Sequence, residues 1–137
     1  MVGVALAHAS PALAILPYEI QPQELVLLPE YCQAAGGIKP IGDWREKLAP
    51  VWDHIHHACH GYKFLLRSAK PLLSKQEKLF YLQSALDEFR YVAEKCPPNF
   101  WFCRELHMQK GIAYSRMGRT KEAAEEYYIA SKYPLTP

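Results

Sequence analysis

Small residues and aromatics recur at helical spacing along Gly111–Ala130, and this pattern constrains the fold more than any other part of the chain. Gly111 stands one turn before Tyr114, and Gly118 closes the segment. A glycine inside a helix costs roughly 1 kcal/mol against alanine, so Gly111 is tolerable where a neighbouring helix must come close. Gly118 suits a C-cap, because it enters the left-handed conformation without a Cβ clash. Thr120 is expected to cap the next helix, with Glu122 and Ala123 in its first turn. Ala123, Tyr127 and Ala130 are spaced by four and three, so they share one face. Pro134 stops the second helix. The pattern predicts two antiparallel helices packed through small residues.

A partial copy lies upstream. Ala85, Phe89 and Val92 repeat the spacing of Ala123, Tyr127 and Ala130, and Pro97 closes the unit. A helix over Lys75–Lys95 is expected, partnered by one over Val51–Ser68 with Gly61 at the close approach. Both units resemble the tetratricopeptide repeat. The resemblance covers Arg104–Pro134 through Gly111, Tyr114, Gly118, Ala123, Tyr127 and Ala130. His107 stands where that family usually has tryptophan, and Lys110 where it usually has leucine. The step from Ala85 to Ala123 exceeds the family's usual spacing of about 34 residues, which places an insert in Pro97–Phe102. The resemblance implies an all-α fold of about two tetratricopeptide-like antiparallel hairpins, with an extended N-terminal arm covering one end. It also implies a protein–protein interaction scaffold rather than an enzyme.

Composition narrows the choice further. The chain has 137 residues, half of them hydrophobic, which fits one packed domain and excludes wholesale disorder. A net charge of +2 is too small to point to nucleic acid. The charge is uneven: residues 1–60 hold three basic and six acidic side chains, residues 61–137 thirteen and eight. Lys63, Arg67, Lys70, Lys75 and Lys78 crowd the turn of the first hairpin. They read as a solvated end favoured by the helix dipole, or as a docking patch for an acidic partner or a membrane surface.

The N-terminal region has another character. Residues 1–38 contain no Lys or Arg, and five prolines occur by Pro40. Met1–Leu16 is apolar and carries two small-x-small sites, Ala7–Ala9 and Ala12–Ala14. It reads as a signal-like segment or as an extended apolar stretch. Residues 17–50 are expected to form an arm and loop laid on the helices, and residues 51–137 the helical domain. Within the arm, Asp43 is expected to cap a short helix at Trp44–Leu48, and Pro50 to open the next one. The expected localisation is periplasmic or secreted, with the cytoplasm as alternative.

Four cysteines are present, Cys32, Cys59, Cys96 and Cys103, with no CxxC. In an exported protein disulfides are their natural use. Of the three pairings, Cys32–Cys59 with Cys96–Cys103 is favoured. The first would pin the arm to the first long helix and the second would close the insert. In the cytosol all four would be buried thiols.

The densest chemistry is Asp53-His54-Ile-His56-His57-Ala-Cys59-His60. On a helix His56 and His60 share one face, and His54 and His57 another. Paired imidazoles at that spacing hold zinc or copper, with Asp53 or Cys59 as further ligands. The alternatives are histidines packed against Trp44, Trp52 and the arm, or a partner contact. This run and the upstream Leu28-Pro-Glu-Tyr-Cys32 resemble a His-x-His-His-x-Cys run and a Leu-Pro-x-Tyr-Cys in poorly characterised bacterial proteins that end in tetratricopeptide repeats. That resemblance implies no known activity. Cys59 beside His57 and His60 invites a thiolate–imidazole pair, but neighbours on a helix point in different directions. No catalytic residue is assigned.

The aromatic run Phe100-Trp101-Phe102 and the pair Tyr128 and Tyr133 are expected to leave some rings at an interface. The repeat family's best-known ligand mode captures a peptide carboxylate through Lys and Asn. The matching positions here hold Met108 and Ile112, which implies an apolar or mixed peptide instead. The expected partner-binding residues are Trp101, Arg104, Met108, Ile112, Ser115, Tyr128 and Tyr133. The expected function is an accessory subunit or assembly factor of an envelope-associated complex. Its partners would be proteins, further copies of the chain or a larger assembly, with peripheral membrane association and no nucleic acid. No cofactor is expected on this reading; a metal-binding protein using His54–His60 is the alternative.

Overall fold

A computed structural model describes Gly3 and residues 15–137. The signal-like reading of Met1–Leu16 therefore falls almost wholly outside the described residues. Those residues form an all-helical structure with no strand. Three short helices come first: α1 (Pro22–Leu25), α2 (Glu30–Ala35) and α3 (Trp44–Lys47). Four long ones follow: α4 (Ile55–Ser68), α5 (Lys75–Ala93), α6 (Trp101–Arg116) and α7 (Thr120–Ala130). α4 packs on α5, α5 on α6 and α6 on α7, while α1 and α2 lie on α4.

The long helices form where apolar residues keep helical spacing. On α5, Tyr81, Leu82, Ala85, Leu86, Phe89 and Val92 make one buried stripe. Its start is set by Ser74, whose Oγ accepts from the Glu77 amide at 3.1 Å while Glu77 returns a carboxylate to the Ser74 amide at 2.7 Å. The stripe meets Ala58 and Phe64 of α4 and Phe102, Leu106 and Ala113 of α6 in one core. A cluster of this kind, buried on all sides, supplies most of the driving force for helices that would be marginal alone.

Several boundaries differ from the sequence expectation. The first long helix does not begin at Val51; a 3₁₀ turn at Trp52–His54 precedes it. Asp43 precedes α3 without capping it through its side chain, which instead meets Lys47 at 3.1 Å. Thr120 is already helical, with Arg119 at the N-cap. The next helix starts at Trp101, because Trp101 and Phe102 both fold onto the core. The arm is not simply extended: it holds three short helices, of which α1 and α2 pack against α4.

Two glycines mark where helices touch. A Cβ built on Gly61 would lie 2.7 Å from the Phe89 ring, and one on Gly111 would lie 2.3 Å from the Tyr127 ring. Alanine would gain up to about 1 kcal/mol of helix propensity at either place. Overpacking typically costs 1–3 kcal/mol and dominates where the ring cannot move. Phe89 is wholly buried, so Gly61 is the stricter of the two. Gly61→Ala is therefore expected to lower the unfolding free energy by about 1–3 kcal/mol in urea. A stability at or above wild type would show that the α4–α5 contact is looser than described.

Candidate functional site

Where the arm meets α4 and α5, charged and aromatic side chains converge. Residues 15–21 form no helix or strand, so side chains and solvent serve most of their backbone polar groups. Arg67, wholly buried on α4, supplies partners for three carbonyls. Its Nε and Nη2 grip the Glu24 carboxylate at 2.9 and 2.7 Å. Its Nη1 donates to the Pro17 carbonyl at 2.6 Å and the Leu16 carbonyl at 3.5 Å, and Nη2 to the Glu19 carbonyl at 3.1 Å. Arginine has five N–H donors, and this site occupies all of them. From the other side, the Leu16 amide donates to the Tyr81 hydroxyl at 3.0 Å.

Lys63, one turn earlier and also wholly buried, donates to the Tyr18 carbonyl and to His60 Nδ1, the latter at 2.8 Å. Its ammonium lies over the rings of Tyr18 and Phe64, at 4.2 and 3.8 Å from their centres. Burial and the nearby Arg67 push its pKa down to about 8, against the pull of Glu24, Glu88 and Glu19. Lys63 and Arg67 are thus not part of a solvated or docking patch, as their place in the basic run allowed. They are internal fasteners.

The histidines take separate partners. His57 Nδ1 donates to Glu88 Oε2 at 2.6 Å, and Glu88 Oε1 accepts from the Tyr18 hydroxyl at 2.7 Å. Glu88 on α5 therefore ties the arm to α4. His60 stacks on Tyr18 at 4.1 Å, and burial together with Lys63 pushes its pKa down to about 4. His54 packs edge-on to Tyr91 at 5.6 Å, and His56 lies 4.2 Å from the His57 ring. Burial and the neighbouring His57 lower the His56 pKa. Among the described residues no group of three or more His, Cys, Asp or Glu side chains is placed to hold a metal ion.

Cys59 is bonded to Cys32 at 2.08 Å, and Cys96 to Cys103 at 2.16 Å, the pairing favoured by the sequence. In this form Cys59 offers neither a thiolate nucleophile nor a metal ligand. The first bridge joins the two motifs that carry the second resemblance, Leu28–Cys32 and His54–Cys59. Beside Cys32, Tyr31 continues inward: its hydroxyl reaches Glu105 Oε1 at 3.3 Å, and the Tyr62 hydroxyl donates to the same oxygen. Burial raises the Glu105 pKa against the effect of both phenols.

The expected partner-binding residues divide into two sets. Arg104 donates to the Tyr133 carbonyl at 3.1 Å and the Ala130 carbonyl at 3.5 Å, closing the C-terminal end of α7. Tyr133 stacks on His107 at 5.6 Å, and Trp101 packs on the core. Met108, Ser115 and Tyr128 are exposed, and Ile112 is half-buried. His107 and Lys110, where the sequence departs from the repeat pattern it resembles, both meet Glu126 of α7 at 2.7 Å. Burial would raise the Glu126 carboxyl, but these two neighbours outweigh it and hold it low. The departures form one polar clasp between α6 and α7.

Comparison of the chain with protein-family models, curated proteins and solved structures returns no match.

The junction has a pH signature. The folded chain holds His60 neutral, whereas the unfolded chain lets it titrate near 6.5. Between those values the unfolded state binds more protons, so stability falls as pH falls from 6.5 to about 4. Glu24 acts in the same sense. Burial alone would raise its carboxyl, but the Arg67 bonds and charge outweigh burial and hold it low, so its contribution is also lost in acid. Lys63 acts at the alkaline end, where its buried charge is relieved as pH rises from about 8 to 10.5. Stability to urea is expected to drop from pH 6.5 to 4, and His60→Gln to flatten that drop. Identical slopes for the variant and the wild type would contradict the assignment.

Proposed function

We propose that this protein is an interaction scaffold, an accessory subunit or assembly factor of a larger envelope-associated complex. The observation that carries the reading is the outer surface of the last hairpin. Tyr128 is 64 % exposed, and Met108 and Ile129 also present apolar surface to solvent. The helices beneath them are held by the Glu126 clasp and by Arg104. Exposed aromatic and methionine side chains on a rigid support are favoured anchors for a protein partner. With Ile112 and Ser115 at helical spacing from Met108, α6 offers a mixed apolar and polar strip that suits a peptide or helix.

Two disulfides fit an oxidising compartment, either the periplasm or the extracellular space. No helix among the described residues is long and apolar enough to cross a membrane. The resemblance to the tetratricopeptide repeat supports the same reading through the order of the hairpins, α4–α5 followed by α6–α7.

The test is crosslinked affinity capture from the cell envelope, with the full chain and with Met108→Glu and Tyr128→Glu variants. A stoichiometric protein recovered by wild type and reduced about tenfold or more by either variant is the expected result. Both side chains are exposed, so the variants should keep the wild-type melting temperature. Recovery of the same partner by all three chains would remove this surface from the function.

A further inference from the structure

The loop between α4 and α5 presents a leucine that the fold does not use. Leu72 follows Pro71 in a tight turn and has φ +66°, a conformation that favours glycine or asparagine. Its side chain is 102 % exposed, as open as in an extended chain. Backbone strain and hydration of apolar surface both work against a leucine here, and no packing offsets them.

The surroundings are basic and apolar together. Lys70, Lys75 and Lys78 are exposed on either side of Leu72, and residues 68–76 hold no acidic side chain. The nearest acid along the chain, Glu77, is turned back to cap Ser74, and Glu24, which lines the groove beside Lys70, is held by Arg67. Lys70 also rims a groove of about 450 Å³ whose lining includes Leu16 and Leu27. Both leucines are exposed, Leu27 at 69 %. In sequence, residues 1–14, which precede Leu16, contain no Asp, Glu, Lys or Arg.

We propose that this end of the bundle docks peripherally on an anionic lipid bilayer. Leu72, with Leu16 and Leu27, enters the boundary between headgroups and acyl chains. Lys70, Lys75 and Lys78 lay their stems along it and meet the phosphates. A leucine protruding without a packing partner, flanked along the chain by exposed lysines, matches a fluid anionic surface, which closes around whatever side chain enters it. A folded protein partner would need a pocket shaped to it. Bilayer docking is separate from the partner surface of α6 and α7, and either can fail without the other.

The test uses the full chain and sedimentation with vesicles of phosphatidylcholine containing about one-third phosphatidylglycerol, against phosphatidylcholine alone. Wild type is expected to bind the anionic vesicles only, more weakly as salt is raised. Leu72→Gly suits the positive φ, so it should melt no lower than wild type. It is expected to lose about tenfold or more in partitioning. Lys70→Glu with Lys75→Glu is expected to lose a similar factor. Absence of anionic-vesicle binding would overturn the proposal. So would equal binding by the variants, which would place the contact elsewhere in the chain. A wild-type dimer that Leu72→Gly dissociates in sedimentation velocity, without vesicle binding, would reassign the surface to a second copy and overturn it as well.

Discussion

The guanidinium of Arg67 is the constraint on which the N-terminal half of the structure depends. Its five donors engage the Glu24 carboxylate of α1 and three backbone carbonyls from the preceding stretch of arm, which has no regular structure of its own. Burying a charge pair is costly, and the Coulomb attraction of Arg67 and Glu24 alone need not offset the desolvation. The additional carbonyl bonds change the balance. Together with the carboxylate they give every N–H of the buried guanidinium an acceptor, and among the described residues no buried side-chain nitrogen or oxygen lacks a partner.

Around that anchor, other contacts fix the arm at intervals. Lys63 and Tyr81 hold it at Tyr18 and Leu16, and Glu88 holds the Tyr18 hydroxyl. The Cys32–Cys59 bridge holds α2 on α4, and the Tyr31–Glu105 bond carries the link on to α6. A bridge closing a loop of this length typically stabilises by about 2–4 kcal/mol, chiefly by restricting the unfolded chain. The two long hairpins among the described residues leave the outer face of α4 to be covered by other parts of the chain. The arm covers α4 with side chains chosen for hydrogen bonding as much as for apolar contact. At the other end, the Glu126 clasp and Arg104 make the last hairpin rigid while leaving Tyr128 exposed.

Much of this was legible in the sequence, and the rest was hidden for identifiable reasons. The helical positions, Gly61, Gly111 and the apolar stripe of α5 depend on local spacing, which a sequence displays directly. The role of the glutamates does not. Glu24, Glu88, Glu105 and Glu126 each join elements whose contacts lie 19 to 74 residues apart, and no local pattern marks such partners. Arg67 and Lys63 looked like members of a basic surface run because the chain shows charge but not direction. Only the arm, folding back over α4, turns them inward. Arg104 and Tyr133 were expected to face a partner, yet they bond within the hairpin, since the C-terminal carbonyls of α7 require donors. The Ser74–Glu77 capping box was present as a Ser-x-x-Glu signal that the spacing of α5 overshadowed.

The most direct measurement is a double-mutant cycle on Arg67 and Glu24, read by urea unfolding and by hydrogen exchange along residues 15–25. Arg67→Met leaves Glu24 and the arm carbonyls without their donor, and is expected to cost about 3–5 kcal/mol with loss of amide protection in the arm. Adding Glu24→Gln removes the stranded charge and is expected to restore part of that stability while leaving the arm unprotected. A cost under about 1 kcal/mol for Arg67→Met, with arm protection unchanged, would contradict the account.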